Sequence, residues 1–244
     1  MLGLVGGGGS ILAVPLIVYV VGVNDPHLAI GTSALAVAVN AAANLLNHAR
    51  SGHVKWQIGG VFAAVGVLGA WGGSTLGKRV DGAHLLLLFA LLMLVVGALM
   101  FRGRASGGDP TVQLTRRNLP ALTLTGAGTG MLSGFFGIGG GFLVVPSLML
   151  ATGMPILFAI GSSLAAVTAF GLTTAANYAW SGKVAWSLAA VLIGGGILGG
   201  LLGSWAAGRL GLRKGVLNNI FAGLILVVAL YMIWRSGLTL GWWP

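Results

Sequence analysis

Gly3-Leu-Val-Gly-Gly-Gly-Gly-Ser-Ile-Leu-Ala-Val-Pro15 and Gly134-Phe-Phe-Gly-Ile-Gly-Gly-Gly-Phe-Leu-Val-Val-Pro146 stand 131 residues apart and share one pattern of glycines, apolar residues and a closing proline. Beyond them the correspondence continues at an offset of 130 residues. Ala29-Ile-Gly-Thr-Ser33 overlies Ala159-Ile-Gly-Ser-Ser163, and Ser51-Gly-His-Val-Lys-Trp56 overlies Ser181-Gly-Lys-Val-Ala-Trp186. Gly69, Gly73, Ser74 and Arg79 then fall on Gly199, Gly203, Ser204 and Arg209. Ordered matches at a fixed spacing are the mark of an internal repeat. They predict a first repeat over 1–101, a polar linker over 102–118 and a second repeat over 119–244.

Composition says what kind of unit is repeated. Of 244 residues 57% are hydrophobic, 44 are glycine and only 7% are charged, against about 25% charged in ordinary soluble domains. A helix needs about 20 apolar residues to cross a bilayer, and such runs recur along most of the chain. The fold class expected is all-α, a polytopic membrane protein. Apolar runs at 3–21, 29–48, 54–77 and 83–101 fill the first half, and 119–135, 141–153, 158–179, 184–207 and 215–235 the second. The run 141–153 is too short to span about 30 Å at about 1.5 Å per residue, so a half-helix or re-entrant segment is expected behind the Gly137–Gly141 cluster. No positive region precedes the first apolar run, because the first Lys or Arg is Arg50, and a cleavable signal needs one.

The ionisable side chains exclude several functions. There are three acids, Asp25, Asp81 and Asp109, no Glu, four His and no Cys. Carboxylate-pair catalysis lacks its residues, thiolate chemistry is absent, and His27, His48, His53 and His84 lack the helical spacing of a metal motif. Ser133 has no histidine on a later segment to serve as its base. No enzyme, metal site or cofactor is expected. The net charge of +10 sits in short connections, where it sets orientation, so no nucleic-acid partner is expected either. Trp56, Trp186, Trp234, Trp242 and Trp243 lie near run ends, where such rings anchor at the interface.

Orientation follows from the same cations. If 119–153 makes an even number of crossings, Arg50, Lys55, Arg102, Arg104, Arg116, Arg117, Arg209, Arg213 and Lys214 share one side and Lys78, Arg79, Lys183 and Arg235 the other, nine against four. A single crossing separates them less well, eight against five. The even reading places the linker in the cytoplasm and makes the two repeats inverted, packed about a pseudo-twofold axis as in many secondary transporters.

The candidate binding residues are polar but largely uncharged. Gly8, Gly9 and Ser10, with Gly139, Gly140 and Gly141, free backbone N–H groups to face a cavity where a half-helix begins, and helix N-termini attract anions. Close helix packing is the competing reading of such glycines. On the next segment Ser33, Asn40, Asn44 and Asn47 share one helical face, and Ser163, Phe170, Thr174 and Asn177 are their counterparts. Neutral amides and hydroxyls can bind an oxyanion without burying a fixed cation; interhelical bonding is again the alternative. His48, at the end of that face, is the side-chain type that can titrate near neutral pH, and with Asp25 it is the candidate for proton coupling.

The duplicated set, G-x-G-G-G-x-L-x-V-P, A-I-G-T/S-S and S-G-x-V-x-W, resembles the sulfite exporter TauE/SafE permeases over nearly the whole chain. The resemblance implies transport of a small sulfur-containing anion, sulfite or an organosulfonate, by a multi-pass protein of the bacterial inner membrane, with the bilayer and the anion as its partners. Alternating access between the repeats is the expected mechanism, and an anion channel or pore of the same fold is the alternative. The second repeat has an apolar lead-in, Leu119 to Ser133, that the first lacks, so a lead-in helix is expected to be missing from the first.

Overall fold

The computed structural model describes residues 10–102, 108–210 and 214–239, with side chains described over 10–98, 108–199 and 222–239. All regular structure among them is helical. A short helix, α1 (Ala13–Pro15), runs into a π-helical turn at Leu16–Val20, immediately after a proline that cannot donate to the preceding turn. Then follow α2 (Pro26–Arg50), α3 (Trp56–Gly77), α4 (Gly82–Arg102), α5 (Leu119–Phe136), α6 (Gly141–Thr152), α7 (Ile156–Trp180), α8 (Trp186–Leu210) and α9 (Lys214–Thr239). Among the described residues four stretches are long and apolar enough to cross a membrane: Pro26–Arg50, Trp56–Gly77, Ile156–Trp180 and Ala222–Thr239. Ser10–Val20, Gly82–Ala98, Gly141–Thr152 and Trp186–Gly199 are shorter apolar helices.

The exterior is the apolar side of this molecule. Leu68, Leu124, Leu150, Val191, Leu198 and Val227 are all exposed, as lipid-facing residues are, while Thr32, Ser33, Ser74, Ser133, Ser162, Ser163 and Thr174 are buried. Hydroxyls in the interior are satisfied mostly by the helices themselves, as Thr32 donates to Leu28 O at 2.6 Å and Ser163 to Ile160 O at 2.7 Å.

The break between α5 and α6 is a reversal. Thr129 Oγ1 and Ser147 Oγ, eighteen positions apart in sequence, are hydrogen-bonded at 3.0 Å, which requires the two helices to lie side by side and antiparallel. The hairpin returns to the end it started from: Asp109 N–H donates to Gly153 O at 3.1 Å, so the linker and the end of α6 share one face. Lys55 joins them there, its Nζ 5.0 Å from the Phe158 ring centre. Lys78, Arg79 and Arg235 meet at the opposite face around one cavity, close to the Lys183–Asp25 ion pair.

The halves interlock through reciprocal contacts. Helices α2 and α7 are antiparallel, tied at one end by Lys183 Nζ to Asp25 Oδ2 at 2.6 Å and at the other by the His53 and Phe158 rings, 6.1 Å apart. A Cβ on Gly31 would strike Lys183 O, and one on its repeat partner Gly161 would strike His53 O. Ala185 N–H donates to Thr32 Oγ1 at 3.0 Å, and Lys55 N–H donates to Ser162 Oγ at 2.8 Å. Phe170 fills the space over Gly66 as Asn40 fills it over Gly196. Each member of these pairs is its counterpart's image under the 130-residue offset.

Glycine sets the tightest packing, between α3 and α5. A Cβ on Gly69 would strike Ala127 O, one on Gly73 Met131 O, one on Gly130 Gly66 O and one on Gly134 Ala70 O. The two backbones touch, as small-xxx-small helices in membranes allow. Helix α8 carries Gly199, the repeat counterpart of Gly69, yet there an added Cβ meets nothing within 4 Å. The second repeat's lead-in helix, α5, is what covers the equivalent surface of α3.

Candidate functional site

The α5–α6 reversal builds the most unusual backbone among the described residues. Gly137, Gly139 and Gly140 take φ of 65°, 64° and 74°, a region that side chains disfavour by about 1–2 kcal/mol. Three glycines here let the chain turn back within four residues and open α6 at Gly141, with Gly140 as its N-cap residue. Pro146 inside α6 and Gly153 after it, at φ 72°, keep that helix to 12 residues, about 18 Å at the usual rise. The N-terminus of α6 is thus held inside the bundle rather than at its surface.

What surrounds the reversal is close and mostly apolar. Gly137 packs on Ile30, and its carbonyl accepts from Ser33 Oγ at 2.9 Å. Gly139 faces Val37 of α2 and Val167 of α7. Gly140 faces Ser133, whose Oγ would be 3.0 Å from an added Cβ. Ser133 is fully buried and its hydroxyl has no hydrogen-bond partner. A buried hydroxyl normally finds one, and this one stands beside the start of α6. Of the residues named from sequence, the structure thus brings together Ser33, Gly139, Gly140 and Gly141; Gly8 and Gly9 lie outside the described residues, and Ser10 is buried just after them.

The amide face divides among several places. Asn40 is buried against Gly196 of α8 with its Oδ1 unpartnered; Asn44 Nδ2 donates to Asn40 O at 2.9 Å; Asn47 is exposed towards the linker face. In the second repeat Ser163 bonds its own helix, Phe170 stacks on Phe62 with centres 6.1 Å apart, and Thr174 is buried with a free hydroxyl. Asn177 is saturated: its Nδ2 donates to Ser74 Oγ at 2.6 Å and Thr75 Oγ1 at 2.9 Å, and its Oδ1 accepts from Lys78 Nζ at 2.8 Å. It joins α7 to α3.

Asp25 is also fully engaged. Its carboxylate caps α2 by accepting from His27 N–H at 2.9 Å and Leu28 N–H at 3.4 Å, and it pairs with Lys183. Partial burial opposes its ionisation, but the hydrogen bonds from Lys183 and from His27 and Leu28 N–H outweigh that and hold the carboxyl below its ordinary range. His48 has a buried Nδ1 without a partner and lies 6.1 Å from the His53 ring. Among the described residues no group of three or more His, Cys, Asp or Glu gathers to hold a metal ion.

Two functional candidates escape the sequence reading. Lys78, on the far face, is held by neutral groups of α7, and Ser133 draws notice in the sequence only as a nucleophile to be dismissed. The available signal for Lys78 is a departure from the repeat, since its counterpart is Gly208.

Known proteins with similar sequences agree on the class. A protein of Xylella fastidiosa described as a probable membrane transporter protein is 54% identical over 240 residues, covering 96% of this chain and 90% of that one. The probable membrane transporter protein YunE of Bacillus subtilis is 26% identical over 225 residues, covering 82% and 81%, and a probable membrane transporter protein of Haemophilus influenzae is 30% identical over 169 residues, covering 66% and 62%. No solved structure matches the chain. The profile of the family described as sulfite exporter TauE/SafE matches residues 1–232, and with the duplicated glycine motifs and the all-helical bundle this chain belongs to that family of membrane transporters.

Proposed function

We propose that the protein carries a small sulfur-containing anion, sulfite or an organosulfonate, across the bilayer by alternating access between two inverted repeats, and that the anion binds at the α5–α6 reversal. The observation that carries this reading is the internal N-terminus of α6 beside the unpartnered Ser133 hydroxyl. A helix start presents partial positive charge and N–H donors to an anion without a fixed cation, and a buried hydroxyl adds a donor at little further desolvation. Weak, uncharged binding of this sort favours release as well as capture. Gly139, Gly140, Gly141 and Ser133 form the inner shell of the proposed site, with Ser33 holding the loop through Gly137.

The antiparallel setting of α2 against α7, and the reciprocal contacts about them, support inverted repeats. The reversal is buried on all sides, while a cavity of about 850 Å³ opens at the far face. Transport by rocking of the repeats would expose the reversal to each face in turn. Uptake of radiolabelled sulfite into proteoliposomes tests the reading: it should saturate with concentration and be competed by organosulfonates. Uptake no faster than in protein-free vesicles for every sulfur oxyanion and sulfonate would overturn it.

A further inference from the structure

We propose that the two S-G-x-V-x-W loops are the gates of the transport path, and that the far gate alone is locked by an ion pair, Asp25 to Lys183, so that the reversal opens more readily to the linker face. The inference deepens the transport reading and rests on it for the use of the gates; the lock itself is carried by contacts at the two faces.

Each loop closes on the other repeat in the same way. At the far face the loop 181–185, between α7 and α8, lies against the first turns of α2: Ala185 N–H donates to Thr32 Oγ1 at 3.0 Å, and Gly31 leaves no room for a side chain against Lys183 O. At the linker face the loop 51–55, between α2 and α3, lies against the first turns of α7: Lys55 N–H donates to Ser162 Oγ at 2.8 Å, and Gly161 is closed against His53 O. One hydrogen bond from the loop backbone and one glycine contact hold each loop, on residues that correspond under the 130-residue offset.

The far loop reaches the proposed site through a single turn of α2. Ile30 of that turn packs on Gly137, and Ser33 Oγ donates to Gly137 O at 2.9 Å, while Gly31 and Thr32 between them hold the loop. Movement of the loop away from α2 therefore uncovers the turn that supports the reversal.

The lock exists in one copy. Asp25 is the N-cap residue of α2, and its carboxylate accepts from Lys183 Nζ at 2.6 Å. Its counterpart, the N-cap residue of α7, is Pro155, and the counterpart of Lys183 is His53. Among the described residues no ion pair joins the linker-face loop to α7. The Lys183 and Asp25 side chains are 42% and 37% exposed, so water can solvate both when they part, and a pair of this kind shifts an equilibrium by up to about fivefold. Two closures alike in their backbone contacts thus differ by this factor, and a carrier whose repeats rock is open for longer towards the unlocked side.

The chain has no cysteine, so Ser133→Cys gives a single thiol at the reversal, and its rate of labelling by a membrane-impermeant maleimide from each face of oriented vesicles reads the gates. Lys183→Gln, which breaks the pair and keeps Asp25 as the cap of α2, should raise labelling from the far face about threefold to fivefold without raising it from the linker face, and Lys183→Arg should return it to the starting rate. Pro155→Asp together with His53→Lys builds the missing pair and should slow labelling from the linker face by a similar factor. Far-face labelling unchanged by Lys183→Gln would overturn the lock, and an equal rise from both faces would overturn it as well, since a general loosening is not a gate. Saturable sulfite uptake with labelling unmoved would remove the lock and leave the transport reading; labelling that moves as stated in a protein without uptake would remove the transport reading and leave the lock standing.

Discussion

Gly130→Leu is expected to yield no stable folded protein. A Cβ at this position would strike the Gly66 carbonyl oxygen, with Gly66 C and Cα both 2.7 Å away, and a backbone atom inside a helix cannot step aside as a side-chain end can. The remaining atoms of leucine would force α3 from α5 along the row that also includes Gly69, Gly73 and Gly134. Overpacking a close-fitted interior costs about 1–3 kcal/mol and more where the backbone must move. Gly128, on the same helix, has nothing within 4 Å of an added Cβ. Gly128→Leu should therefore fold normally, gaining the usual advantage of leucine over glycine in a helix, up to about 1 kcal/mol. Thermal unfolding of the two variants in detergent checks the pair, and equal stability would show that α3 and α5 do not touch in this register.

Gly140→Ala is expected to impair transport severely in a protein that still folds. The residue sits at φ 74°, and the new Cβ would lie 2.9 Å from Ser133 Cβ and 3.0 Å from its Oγ. Left-handed backbone costs alanine about 1–2 kcal/mol, and the methyl group displaces the hydroxyl and narrows the approach to the start of α6. Strain alone has a matched control. Gly153, at the other end of α6, has φ 72° with nothing within 4 Å, so Gly153→Ala carries the same backbone cost away from the reversal. Gly140→Ala should lose the more stability of the two because its methyl also presses on Ser133, while sulfite uptake falls by about tenfold or more in Gly140→Ala, equivalent to at least about 1.4 kcal/mol, and stays near wild type in Gly153→Ala. Equal uptake by the two would take the reversal out of the binding site.

Much of this architecture is legible because membrane helices write their length and their repeats into the sequence. The apolar runs 54–77 and 158–179 become Trp56–Gly77 and Ile156–Trp180, and the short run behind the glycine cluster becomes Gly141–Thr152. Charge sorting favours an even number of crossings for that region, and the Thr129–Ser147 bond folds α6 back along α5. Contacts between distant helices are less legible. The amide face reads as one stripe on α2 and α7, yet Asn177 is consumed by Ser74, Thr75 and Lys78, partners set by which side of α7 meets α3. Asp25 reads as a lone acid with a coupling role open to it, and the structure adds the capping bonds and the Lys183 pair that a linear reading has no means to join. Glycines carry both meanings at once: in α3 and α5 they permit contact, and at 137–140 they turn the chain. Only φ separates the two uses.

Counterflow gives the most direct test of a carrier built on two repeats. Proteoliposomes loaded with unlabelled sulfite are diluted into a trace of radiolabelled sulfite, and the label inside is followed with time. Alternating access requires the label to rise transiently above its equilibrium level, because carriers returning from the loaded side are slowed in releasing it outward by competing unlabelled anion. A monotonic approach to equilibrium, with a rate that grows linearly with sulfite concentration, would contradict the account and show a pore instead.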